Sequence, residues 1–116
     1  MRILLVTGSR EILDYKFVFK SLDNIKEDFD FDEILTGGAE GVDFLAHLYA
    51  LFHNISYEEI KPDWKRYGKA AGFIRNSEMV DICTKGVAIW DGYSKGTQHC
   101  IHELERANKL LRVFEE

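Results

Sequence analysis

Apolar positions recur along this chain with two alternating rhythms. Ile3 to Thr7 is an unbroken apolar run, the pattern of a strand covered on both faces in a parallel sheet. From about Asp14 to Lys26 the rhythm changes to helical spacing, with Val18, Leu22 and Ile25 on one face and Asp14 placed to cap the first turn. Phe31 to Thr36 reads as a second strand. It runs through Gly37-Gly38-Ala39-Glu40-Gly41 into a helix whose Val42, Leu45, Ala46, Tyr49 and Phe52 again share a face. Ile55 to Ile60 is a more polar strand, suited to an edge of the sheet. After the Pro62 to Gly68 loop, Lys69 to about Cys83 carries Ala70, Ala71, Ile74, Met79, Val80 and Cys83 as a third helix. Gly72 inside it costs roughly 1 kcal/mol against alanine and marks a late start or a break. Gly86 to Trp90 is a fourth strand, Thr97 to Lys109 a helix with Cys100, Ile101, Leu104 and Ala107 inward, and Leu110 to Phe114 a closing strand. This alternation predicts an α/β fold: one domain over residues 1–116, with a mostly parallel five-stranded sheet flanked by about four helices and joined by right-handed crossovers.

Composition narrows the function classes. An apolar fraction of 46% and a charged fraction of 30% are those of an ordinary globular chain, which argues against disorder. The net charge of −5 makes duplex nucleic acid and anionic membranes unfavourable partners. Cys83 and Cys100 have no CxxC spacing and read as reduced core thiols. His99 and His102 stand i, i+3 on one helix without a third ligand at metal-binding spacing, so no metal site is expected. The first residues lack a signal-peptide pattern and nothing downstream approaches a membrane span, so a cytoplasmic setting is expected. There is no G-x-x-x-x-G-K-[ST] run, no G-x-G-x-x-G fingerprint and no G-x-S-x-G elbow, and no cofactor is expected.

The candidate chemistry lies in the turns. In a parallel sheet every strand-to-helix turn emerges on one edge, where ligands bind if the strand order reverses. Gly8-Ser9-Arg10, Gly37 to Gly41 and Gly92 to Thr97 should therefore converge, together with the Pro62 to Gly68 loop. Main-chain amides at Gly37, Gly38 and Gly96, with hydroxyls at Ser9 and Thr97, suit a phosphate. Arg10, Arg66, Lys69, Arg75 and Lys95 would supply charge, Arg10 and Arg75 foremost; each is otherwise a solvated surface group. Asp91, ending an apolar strand, is placed to accept from a ribose hydroxyl or to orient water. Asp43 can do the same or simply stabilise a helix N-terminus. Trp64 and Tyr67 either stack on a base or pack their loop against the sheet.

The succession Val6-Thr7-Gly8-Ser9-Arg10, Gly37-Gly38-Ala39-Glu40-Gly41-Val42-Asp43, Pro62-Asp63-Trp64, Gly68 to Gly72, Arg75-Asn76 with Met79, and Ser94-Lys95-Gly96-Thr97 resembles the YspA-like branch of the SLOG superfamily. DprA DNA-processing proteins and LOG nucleoside monophosphate phosphoribohydrolases belong to that superfamily. The resemblance implies a Rossmann-like sheet with a pocket for a nucleotide-derived ligand. By position, Gly8, Ser9 and Arg10 match its first turn, Gly37, Gly38 and Asp43 its second, Arg75 and Asn76 its central helix, and Ser94, Gly96 and Thr97 its last turn. One departure matters: LOG-type hydrolases carry a glutamate three residues after the Gly-Thr threonine, and here that residue is Cys100. A thiol cannot steady an oxocarbenium-like centre as a carboxylate does. The expectation is a domain that binds or senses a nucleoside phosphate or an ADP-ribose-like molecule. The alternatives are N-glycosidic or phosphoribosyl hydrolysis with Asp91 or Asp43 as acid–base group and, more weakly, single-stranded nucleic-acid handling. The resemblance also implies a dimer or larger homo-oligomer; among apolar helix positions Tyr49, Phe52 and Phe73 are either its contacts or part of the core.

Overall fold

In the computed structural model, which describes residues 1–116, the N-terminal apolar run forms β1 (Ile3–Gly8) at the centre of the sheet. Successive side chains of a strand point to opposite faces. Leu4 and Val6 accordingly join one core cluster and Leu5 the other. Beside β1 lie β2 (Glu33–Thr36) and then β3 (Ser56–Glu59) on one side, and β4 (Lys85–Trp90) and then β5 (Leu110–Glu115) on the other. Every pairing is parallel, so the sheet is wholly rather than mostly parallel. The order β3-β2-β1-β4-β5 reverses direction between β1 and β4, which opens a crevice at their carboxyl ends.

Two layers of helix cover the sheet. The α1 helix (Tyr15–Asp28) and α2 (Val42–Phe52) bury Val18, Leu22, Ile25, Leu45, Ala46 and Tyr49 against one face. Asp14 caps α1 as its side chain suggests, accepting from the Lys16 and Phe17 amides at 3.1 and 3.3 Å. On the other face, α4 (Ala71–Ile82) and α5 (Lys95–Arg106) contribute Met79, Val80, Cys100 and Leu104. No helix is long and apolar enough to cross a membrane.

Two boundaries differ from the sequence reading, and both bear on the crevice. Trp64–Tyr67 is a single helical turn, α3, rather than loop, because Asp63 caps it by accepting from the Arg66 amide at 3.1 Å. The chain then breaks at Gly68, with φ +55°, and passes through a 3₁₀ turn (Gly68–Ala70), whereas Gly72 lies inside α4. At the other site, α5 begins at Lys95, so Gly96 and Thr97 occupy its first turn instead of the loop before it.

The three candidate oligomer contacts form no common patch. Tyr49 is only 2% exposed, and its Oη donates to Asp23 Oδ1 at 2.7 Å, which makes it core. Phe52 is exposed beside Phe19 on the α1–α2 layer, while Phe73 stacks on His99, 4.1 Å between centroids, on the opposite layer.

Both cysteines are free and buried. Burial raises the Cys83 thiol and pushes Cys100 up to about 12, so neither is a thiolate at neutral pH. An Ellman titration of the native protein should therefore show no fast thiol, and both should react once urea unfolds the chain.

Candidate functional site

The crevice is an open cleft of about 480 Å³ lined by glycines, polar side chains and a few apolar ones, within the size range of small-ligand sites. It brings together Gly8 at the end of β1 and Arg10 just beyond it, Gly37, Gly38 and Asp43 after β2, Arg75 and Asn76 on α4, and Ser94, Gly96 and Thr97 at the start of α5. Trp64 stands at its rim with Lys61 and Pro62.

The α5 end is rich in hydrogen-bond donors. Amides in the first turn of a helix have no acceptor four residues back, and the aligned peptide dipoles leave partial positive charge there. Ser94 Oγ and Thr97 Oγ1, 3.2 Å apart, add two hydroxyls beside those amides. The turn is held open from behind. Asp91 Oδ1 accepts from the Tyr93 amide at 2.8 Å and the Ser94 amide at 2.9 Å. These amides hold its carboxyl below the usual range. Ser9 is fully buried, and its Oγ accepts from the Asp91 amide at 3.0 Å, joining the ends of β1 and β4. Neither Ser9 nor Asp91 lines the cleft. Their side chains shape the turns around it.

Arg75 braces the opposite wall. Its Nη1 donates to the Gly37 carbonyl at 3.0 Å and the Ile60 carbonyl at 3.2 Å, and its Nε donates to Asn76 Oδ1 at 3.0 Å. A guanidinium carries five N–H donors in a planar fork. Nη2 has no protein partner and is not buried, and Arg75 lines the cleft. Burial lowers the Arg75 pKa, and the nearby Asp43 counters this. The guanidinium packs so closely on Gly37 that a Cβ there would collide with Nη1, so any side chain at this position would have to displace it. Asn76, itself buried, carries the brace to α5 by donating from Nδ2 to the Gly96 carbonyl at 3.4 Å; His99 Nδ1 lies 3.3 Å from the same nitrogen.

Asp43 lies deep in the cleft, 6% exposed, with Oδ2 accepting from the Ala39 amide at 3.2 Å. Burial raises its pKa from 3.8 to about 7, against the pull of the Ala39 amide, Arg75 and the Gly37 amide. A carboxyl that titrates near neutrality can both give and take a proton. The sequence offers both Asp91 and Asp43 as carboxylates and leans to a structural role for Asp43, yet of the two only Asp43 lines the cleft.

The aromatic pair divides. Trp64, 58% exposed, faces the cleft, while Tyr67 lines a neighbouring depression with its ring under the Arg66 guanidinium at 5.2 Å. They cannot sandwich one base. Of the five candidate bases, Arg10 and Arg75 line the cleft, Arg66 lines the neighbouring depression, and Lys69 and Lys95 line neither. Lys61 does line the cleft and is missing from the sequence reading, although it ends the segment that β3 carries to the same edge. None of Arg10, Lys61 and Arg75 belongs to an ion pair; the protein's four pairs gather at Arg2, Lys26 and Arg106. No three His, Cys, Asp or Glu side chains are grouped to hold a metal ion.

Residues 2–67 match the family described as "YspA, cpYpsA-related SLOG family". The chain is also 36% identical to the Gene 61 protein of Mycobacterium phage D29 over 117 residues, spanning 92% of this chain and 91% of that protein. No solved structure matches it significantly.

Proposed function

The chain belongs to the YspA, cpYpsA-related SLOG family, and from that premise we propose that its cleft binds a nucleotide-derived phosphorylated ligand, either a nucleoside phosphate or an ADP-ribose-like molecule. One observation carries this reading. In a chain of net charge −5, the three cations that line this cleft form no ion pair and share it with the amide-rich start of a helix. The phosphate would sit at Gly96, Thr97 and Ser94, with Arg75 Nη2 as its charge-assisted donor. Trp64 at the rim offers a face for the base. Calorimetry with AMP, ADP-ribose and unphosphorylated adenosine tests the assignment. The phosphorylated ligands should bind at least about tenfold tighter than adenosine, a difference of ~1.4 kcal/mol. Equal binding, or none, overturns it.

Asp43 supports a second reading, hydrolysis of an N-glycosidic or phosphoribosyl bond. It is the carboxyl in the cleft that titrates near neutrality, and Cys100, at the position where the LOG pattern has glutamate, is a protonated thiol in the core. Release of free base from AMP, followed by chromatography and lost in Asp43→Asn, would establish it. Single-stranded nucleic-acid binding is disfavoured, because Trp64 and Tyr67 open onto different depressions and form no continuous stacking platform.

A further inference from the structure

Beyond Lys61 and Arg75 the surface dips again into a second depression of about 210 Å³, walled by both of those residues and by Arg66 and Tyr67. Three cations meet there against two carboxylates, Asp63 and Glu78. Asp63 Oδ1 is occupied by the Arg66 amide, and neither carboxylate is ion-paired with any of the three cations. The Tyr67 ring beneath the Arg66 guanidinium restrains it over the depression. Because Lys61 and Arg75 line both spaces, the two open on either side of a shared cationic ridge. Nη1 of Arg75 is committed to the Gly37 and Ile60 carbonyls, so the ridge is fixed by the backbone rather than free to collapse onto one side.

We propose that the second depression is an anion subsite for a distal phosphoryl group of the ligand, so that the preferred ligand carries two separated phosphates, one at the start of α5 and one beside Arg66. This rests on the reading of the cleft given above and adds a specificity to it. The size agrees: a depression of about 210 Å³ has room for a phosphoryl group with part of its hydration. The chemistry also agrees, since the planar Arg66 guanidinium and the compact Lys61 ammonium both line this small space.

Calorimetry with adenosine 5′-monophosphate and adenosine 3′,5′-bisphosphate, on the wild type and on Arg66→Ala, separates the two claims. The bisphosphate should bind the wild type at least about tenfold tighter than the monophosphate. Arg66 is exposed and outside the core, so Arg66→Ala should fold normally, remove that advantage and leave monophosphate affinity within about twofold. Equal wild-type affinities for the two nucleotides, or a bisphosphate preference that survives Arg66→Ala, overturns the subsite while the cleft reading stands. Failure of both nucleotides to bind overturns both.

Discussion

Arg75→Ala should abolish binding of phosphorylated ligands and also destabilise the fold by about 3 kcal/mol. The two losses have separate causes. Nη1 satisfies the Gly37 and Ile60 carbonyls, one at the end of β2 and the other just past β3. Truncation strips both of a charged donor at a site where Gly37 is buried, and each carbonyl left unsatisfied costs about 1–3 kcal/mol. Binding is lost because Nη2 goes with the side chain and because the Gly37–Gly38 turn no longer has the guanidinium it packs against. Arg75→Lys divides these effects. A single ammonium restores charge and reaches one carbonyl, so the urea midpoint should recover in part, whereas the forked geometry and the ligand affinity should not return. Wild-type midpoint and affinity in Arg75→Ala would show that neither role exists.

The strands and helices are legible in the sequence because an all-parallel sheet writes its buried strands as apolar runs and its helices as one-sided stripes. That the glycine turns share a cleft follows from the same topology, since parallel strands put their carboxyl ends on one edge. What local sequence cannot show is which polar atoms the fold itself consumes. Asp91 reads as a free carboxylate at a strand end, yet the next turn folds back so that two of its amides fill Oδ1. Ser9 reads as a phosphate hydroxyl, yet β4 runs close enough for the Asp91 amide to take it. Tyr67 and Trp64 read alike until one helical turn, capped by Asp63, points them into different depressions. Lys61 goes unread because its place depends on strand order, which a single sequence does not specify. Asp43 is the converse: the helix-start position visible in the sequence does not reveal how deeply α2 sinks it.

That depth makes Asp43 the dominant source of pH dependence. Its pKa of about 7 in the folded chain lies above the ordinary value of 3.8, so the folded state holds this proton more tightly than the unfolded chain does. The stabilisation from protonated Asp43 is complete below about pH 4, and is lost as pH rises through 7. At about 1.4 kcal/mol per pKa unit, the loss is on the order of 4 kcal/mol. Glu33 is also raised, chiefly by burial, and acts in the same direction. Asp91, held low by its amides, acts in the opposite direction at more acid pH. Asp43→Asn keeps an oxygen for the Ala39 amide and removes the titration, so at pH 8 the variant should be the more stable protein, with the gap clearly narrower at pH 5 and closing only near the unfolded-chain pKa. Urea denaturation at the two pH values decides this, and parallel pH profiles would show that Asp43 ionises normally in the folded chain. The same carboxyl should report on the cleft. A phosphate bound near it raises its pKa further, so ligand binding at pH 7.5 should take up a proton. Calorimetry in buffers of different ionisation enthalpy would measure that uptake, and Asp43→Asn should erase its Asp43-dependent part, leaving only the change in titration of the phosphate itself, whose pKa lies near about 6.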